Sequence, residues 1–190
     1  MDESKKSAAA REVEGIFQRL EVMKTNLGLW NEDIPRPSRK DLQSNHKKTS
    51  GFRKKVEGLT AETLPQVVDD ISKLNLSRYI EEAAIGLSQA KLERRSDVLA
   101  AVKVASELHL RYEDFGQFLF NELQKRFKEV FFATSKAPLS AAEYKQRFAR
   151  QKALALLIFE LYMAGIILEP TILLSALNFI VKTKINYKSK

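Results

Sequence analysis

Apolar residues recur along this chain at three- and four-residue intervals and seldom at every second position, so the pattern predicts helices. The clearest stretch runs from Leu74 to Phe115. Counting from Leu76, one stripe holds Tyr79, Ile80, Ala83, Ala84, Leu87 and Ala90. After the polar break Glu93, Arg94, Arg95, Ser96, with Ser96 expected as a helix cap, a second stripe holds Val98, Val102, Ala105 and Leu108. Small residues at Ala83, Ala84, Ala101 and Ala105 let two axes come close. The two helices are therefore expected to fold back on each other as an antiparallel pair, the unit of helical-repeat scaffolds and of bundles.

The same spacing marks further helices on both sides. From Arg11 a stripe of Val13, Ile16, Phe17 and Leu20 predicts a helix interrupted near Asn26 and Gly28. Trp30 leads into NEDIPRPSRK, whose two prolines favour an extended strap across the surface, anchored by the buried indole ring. A basic helix with few apolar positions, Leu42, Phe52 and Val56, is expected over 41–55. Gly58 should stop it, and Thr60 and Glu62 should restart a helix carrying Leu64, Val67, Val68, Ile71 and Leu74, with Pro65 in its first turn. Phe115, Leu119, Leu123 and Phe127 share a face of a long helix that reaches Phe131 and Phe132 before a loop over 133–140. Ser140 is expected to cap the next helix, which carries Tyr144, Phe148 and the apolar run 153–168, and Pro170 opens the last, with Leu173, Ala176, Leu177, Ile180 and Val181.

Helices at roughly twenty-residue intervals give a pair period near the ~40–47 residues of HEAT repeats. The fold class expected is all-α, a partial solenoid of HEAT-like antiparallel helical repeats, with a helical bundle as the rival. Residues 1–38 read as an amino-terminal helix, frayed over its first nine residues, plus connector, and 39–190 as the helical module. The chain stops soon after a strongly apolar helix without the polar cap that repeat proteins need, so a longer parent protein is expected.

Composition narrows the chemistry. The 190 residues include seven glycines, five prolines and no cysteine, which removes disulfides and thiolate metal sites and fits a reducing compartment. The amino terminus lacks an apolar signal core, and the run 153–168 contains Glu160 and falls short of the ~18–20 residues a bilayer requires. No membrane partner is expected, and the location expected is cytoplasmic. The net charge of +8 is concentrated: residues 36–55 hold eight basic side chains and one acid, and 182–190 hold four basic and no acidic ones. The remainder has twenty basic and twenty-three acidic residues, so the body of the domain is not a basic particle.

Lys47, Lys48, Arg53, Lys54 and Lys55 are therefore the candidate contact for RNA or an acidic partner, with Lys47, Lys54 and Lys55 near one helix face and Lys48 at its edge. Phe52 is expected to face the core, so base stacking finds no support. His109, Arg111, Tyr112, Asp114 and Phe115 could suggest an active constellation. The structural reading is stronger, with Asp114 satisfying amides at a helix start, Arg111 paired with an acid and Phe115 filling the core. Only one other histidine, His46, is present, and neither HExxH nor a phosphate-cradling glycine motif occurs. The acidic pairs Asp69-Asp70, Glu81-Glu82 and Glu113-Asp114 are adjacent in sequence and diverge by ~100° on a helix, so they read as solvated faces. Neither an enzyme nor a cofactor is expected.

The segments LNLSRYIEEA at 74–83, AKLERRSDVLAAV at 90–102 and HLRYEDF at 109–115 resemble the first middle-domain module of the nonsense-mediated mRNA decay scaffold family, up-frameshift factor two. That module is similar to the middle domain of eukaryotic initiation factor four-gamma. WNEDIPRPSRKDLQSNHKKTSGFRKKVEGL at 30–59 resembles the family's basic lead-in, and RFARQKALALLIFELYMAGII at 147–167 its helix with Glu160, Leu161 and Gly165. The likeness spans Trp30 to Val181, and the module's later helices are expected beyond Lys190. Leu76, Tyr79, Ile80, His109, Arg111, Tyr112, Asp114 and Phe115 fall in its structural blocks. The resemblance implies a noncatalytic scaffold module in a protein that links the decay helicase, up-frameshift factor one, to its RNA-associated partner, up-frameshift factor three. The family engages factor three through its third module and the helicase through a carboxy-terminal tail, so those binding residues do not carry over. The alternative is a module that itself binds RNA without sequence preference or docks the helicase.

Overall fold

The computed structural model describes residues 8–132 and 140–188. The frayed start expected over 1–9 falls mainly, and the loop expected over 133–140 almost wholly, outside the described residues. Among those described there are nine helices: α1 (Ala8–Trp30), α2 (His46–Ser50), α3 (Phe52–Glu57), α4 (Leu64–Lys73), α5 (Ile80–Gln89), α6 (Arg95–Arg111), α7 (Phe115–Phe132), α8 (Ala141–Met163) and α9 (Thr171–Lys188). The one extended pairing among them is an isolated bridge between Gln43 and Leu74.

The helices stack in two layers, and α3 to α8 each lie nearest a helix two places away in the chain. Helices α3, α5, α7 and α9 follow one another in the first layer, and α4, α6 and α8 in the second. This is the HEAT-like all-α arrangement. It corrects one expectation: α5 runs closest to α7 and α3, and α6 closest to α8 and α4, rather than α5 against α6. Small residues do permit close approach, but toward the layer neighbour. A Cβ added to Gly86 of α5 would stand 2.9 Å from the Arg53 carbonyl oxygen of α3. Residues 90–94 then cross the end of α3, where the Lys91 amide donates to the Glu57 carbonyl at 3.3 Å. A stripe states that a face is buried and leaves the partner open.

Helix ends follow local chemistry. Pro65 sits in the first turn of α4, where its missing N–H costs nothing. Ser140 and Glu143 form a reciprocal cap on α8: the serine oxygen accepts from the Glu143 amide and the carboxylate from the Ser140 amide. Gly165 ends that helix with φ +70°, a left-handed conformation suited to glycine, and the Ile166 amide closes back on the Leu161 carbonyl at 3.1 Å.

Three boundaries differ from expectation. Helix α1 runs unbroken through Asn26 and Gly28, because Asn26 is buried with its amide donating to Ser106 and Ala164, and Gly28 lies against Ile34. The basic helix expected over 41–55 begins only at His46, capped by Asn45, and is split at Gly51 into α2 and α3. Helix α6 begins at Arg95, and Asp97 rather than Ser96 closes its start by accepting the Arg94 amide at 3.1 Å.

The apolar core is continuous through both layers, with Phe52, Leu76, Leu87, Leu108, Phe115, Leu119 and Leu123 wholly enclosed. No helix among the described residues is long and apolar enough to cross a membrane. Helix α1 packs on α6, and the segment 31–45 returns as the strap that borders the candidate site.

Candidate functional site

The strap is tied down at both ends by its own backbone and by side chains from α1 and α6. At its start, Trp30 donates from Nε1 to the Gly165 carbonyl at 3.2 Å and lies 4.8 Å from the His109 ring. Gly116 makes room for the indole, since a Cβ there would stand 2.5 Å from Trp30 Cζ2. Arg36, between the two prolines, donates to the carbonyls of His109 and Leu29. At the far end, the Gln43 amide donates to Lys73 at 2.8 Å and its carbonyl accepts from Asn75 at 2.9 Å.

His109 is fully enclosed, and neither ring nitrogen meets a hydrogen-bonding partner. Burial pushes its pKa down to about 4 and the nearby Arg36 charge adds to the shift, while the Asn26 backbone carbonyl opposes it without reaching bonding geometry. At neutral pH the imidazole is uncharged and packs as an aromatic plate against Trp30. It has no solvent path for acid–base work.

Tyr112 is also buried, and its hydroxyl accepts from the Leu76 amide at 2.9 Å and reaches the Leu74 carbonyl at 3.5 Å. Burial pushes its pKa up. The Arg39 guanidinium covers the ring face 5.6 Å from its centre. Arg111 pairs with Glu107 at 3.6 Å, and Phe115 is fully buried. Leu76 and Ile80 are buried beside this joint, and half-buried Tyr79 precedes α5 with the His46 ring 6.2 Å away. Asp114 departs from its expected role: its side chain is exposed and bonds no amide of α7, whose first turn closes through the Asp114 carbonyl and the Phe118 amide at 3.0 Å.

Strap residues 36–40, residues Asn75, Ser77 and Ile80, and the α6–α7 turn from Arg111 to Asp114 enclose an open cleft of about 680 Å³. Its rim carries Arg39 and Lys40 from the strap and Glu113 and Asp114 from the turn. Glu113-Asp114 is thus part of a concave surface rather than a plain solvated face.

The five basic candidates separate into two groups. Arg53 donates to Glu57 at 2.7 Å and to Gln89 at 3.2 Å, and Lys55 pairs with Asp70. Both are committed within the fold. Lys47, Lys48 and Lys54 are exposed and make no ion pair among the described residues. The break at Gly51 removes the single helix on which Lys47, Lys54 and Lys55 were expected to share a face. Asp69 likewise pairs with Lys73, so the Asp69-Asp70 pair is held by lysines.

A further polar cluster was missed in the sequence. Arg94 makes a two-pronged contact with Glu62, at 2.8 and 2.7 Å, and also holds the buried Asp97, which accepts the Ala61 amide at 3.0 Å. Its hydrogen bonds hold Glu62 well below the usual carboxylate range, at about 2, and lower the pKa of Asp97, while the two acids raise that of Arg94. The charges joining Glu62 to Arg94 lie thirty-two residues apart, a pairing without a local signature. Glu160, buried on α8, stands 3.7 Å from Arg95 and 3.9 Å from Arg19. Among the described residues no group of three or more His, Asp or Glu side chains stands where it could hold a metal ion.

No protein-family model matches the chain. It is 31% identical over 137 residues to the regulator of nonsense transcripts UPF2 of Arabidopsis thaliana, covering 72% of this chain and 11% of that protein. It is 30% identical over 155 residues to the nonsense-mediated mRNA decay protein 2 of Saccharomyces cerevisiae, covering 78% of this chain and 14% of that protein. The crystal structure of the first MIF4G domain of human nonsense mediated decay factor UPF2 superposes with a TM-score of 0.71 at 29% identity, over 92% of this chain and 53% of that one. The chain thus spans a small part of the curated relatives and about half of the solved domain. Sequence and architecture agree on the same stretch: the chain belongs to the UPF2 family and corresponds to part of its first MIF4G domain.

Proposed function

We propose that this chain is a noncatalytic scaffold module of nonsense-mediated mRNA decay, a rigid spacer that supports assembly of the decay helicase, up-frameshift factor one, with its RNA-associated partner, up-frameshift factor three. One observation carries the reading: the buried polar groups that could have made a reactive centre, His109, Tyr112, Asp97 and Asn26, are each used to lock one helix to another or to the strap. A catalytic centre needs titratable groups converging on an accessible reacting atom. Here the enclosed imidazole faces an indole. Kinship with UPF2 supports the process, while the two named partners and a cytoplasmic, perinuclear location belong to the proposal.

Coprecipitation of the two factors by the full-length protein, with and without this module, tests the scaffold. The expected result is loss of joint assembly although the module alone retains neither factor. Tight retention of the helicase by the module alone would replace the spacer with a docking role.

A second reading rests on Lys47, Lys48 and Lys54, whose charges no acid neutralises among the described residues. Such lysines attract phosphates without reading bases. Titration with single-stranded RNA at several salt concentrations should then show affinity that falls with salt and drops when the three lysines are reversed to glutamate. Equal binding by the reversed variant removes RNA contact at this edge.

A further inference from the structure

Six charged side chains line the cleft between the strap and the α6–α7 turn: Arg36 is spent on backbone carbonyls and Arg111 on Glu107, whereas Arg39, Lys40, Glu113 and Asp114 make no ion pair among the described residues. Elsewhere on this surface opposite charges that come near do join, as Arg94 with Glu62 and Lys103 with Glu107 show. In the cleft they are held apart. The strap is fixed by Arg36 on the His109 carbonyl and by Gln43 on Lys73 and Asn75, and the opposite wall by the Tyr112 hydroxyl on the Leu76 amide. The lips therefore keep their separation, and Arg39 is further oriented by the Tyr112 ring. A site that is ordered before its ligand arrives loses less entropy on binding.

We infer that this cleft docks a polypeptide segment of mixed charge, whose acidic side chain meets Arg39 and Lys40 while a neighbouring basic side chain meets Glu113 and Asp114. The cavity of about 680 Å³ accommodates a few side chains and is too small for a folded surface. Its charge pattern separates protein from RNA. A nucleic-acid strand offers phosphates to the strap lip and nothing cationic to the other, where Glu113 and Asp114 repel it and the one cation, Arg111, is paired with Glu107. It also finds no open aromatic face, since Tyr112 lies buried beneath Arg39. A peptide with an acid and a base a few residues apart satisfies both lips. The inference gives the scaffold a class of partner, and it rests on that reading only for its place in assembly, because direct binding is measured without the decay factors.

The test is an NMR titration of the intact, isotope-labelled chain with short synthetic peptides that carry one Glu and one Lys at varied spacing in an alanine–serine background. All-Glu and all-Lys peptides and oligouridine are titrated in parallel. Saturable shifts at amides of residues 36–40 and 113–114 are expected for mixed-charge peptides of a preferred spacing. Lys40→Glu and Glu113→Lys, whose exposed side chains make no ion pair among the described residues, should each weaken that binding by about fivefold. In the double variant each lip carries one charge of either sign, so the preference for one order of Glu and Lys should be lost. Three results would each overturn the inference: no saturable shift with any mixed-charge peptide, unchanged affinity in both variants, or all-Glu peptide or oligouridine binding at the cleft as tightly as the mixed peptides. Coprecipitation of the decay factors could still succeed or fail independently, so loss of the cleft is distinguishable from loss of the scaffold.

Discussion

At the strap junction Arg36 gives its guanidinium to the His109 and Leu29 carbonyls, whereas along the α2–α3 edge Lys47, Lys48 and Lys54 face solvent without an acidic partner among the described residues. Both belong to the same positively charged segment of sequence, 36–55. The difference lies beneath them. The junction sits over half-buried Trp30 and the buried His109, Tyr112 and Gly116, where carbonyls left over at the end of α6 need donors. The edge sits over two short helices whose apolar side chains, Phe52 and Val56, point inward and leave the charges without structural work. A basic run thus holds some residues that build the fold and others free to meet something outside it.

The comparison is broken most severely by emptying the joint. Phe115→Ala should cost about 3–5 kcal/mol, because a fully buried aromatic ring is lost and the surrounding helices close the void only in part. Urea unfolding followed by circular dichroism measures it. A smaller loss should follow from acid. His109 in the folded chain has its pKa lowered to about 4 from an ordinary 6.5, so the unfolded chain binds the proton more readily. Stability from this group is complete above pH 6.5 and declines as pH falls toward 4, by on the order of 3 kcal/mol. Urea midpoints across that window should decline in the native chain and much less in His109→Gln.

Tyr112→Phe keeps the ring and removes the acceptor for the buried Leu76 amide, with an expected cost of about 1–2 kcal/mol in the same unfolding assay. At the other pole, replacing Lys47, Lys48 and Lys54 together by alanine should change stability by less than about 0.5 kcal/mol, within the range of ordinary surface substitutions. A large loss there would show that the edge is structural after all and erase the contrast with the junction.

How much of this was readable in the chain follows from the range of each interaction. The stripes of α5 and α6 were legible because helical periodicity is local, and so was the enclosure of Phe52 and Phe115. Which helix each stripe meets was not, because the layer neighbour lies two helices away and leaves no mark on the spacing. Ser96 resembled a cap since it closes a polar break, but Asp97, three residues after Arg94, reaches the free amide instead. Gly51 divides a segment whose charges suggested one continuous face. The cleft was beyond reach, since its walls come from 36–40, 75–80 and 111–114 and meet only in the folded chain.

Two bonds described above join distant parts of the molecule: Asn26 reaches the Ala164 carbonyl across 138 positions, and Trp30 the Gly165 carbonyl across 135. Stacked repeats ordinarily melt inward from whichever terminus is loosest, since every unit leans only on its immediate neighbours. A clasp between the first helix and the corner preceding the last one makes such unzipping inefficient. Amide protons in the second half of α1 and at Gly165–Ile166 should exchange with one shared opening free energy, as a single cooperative unit.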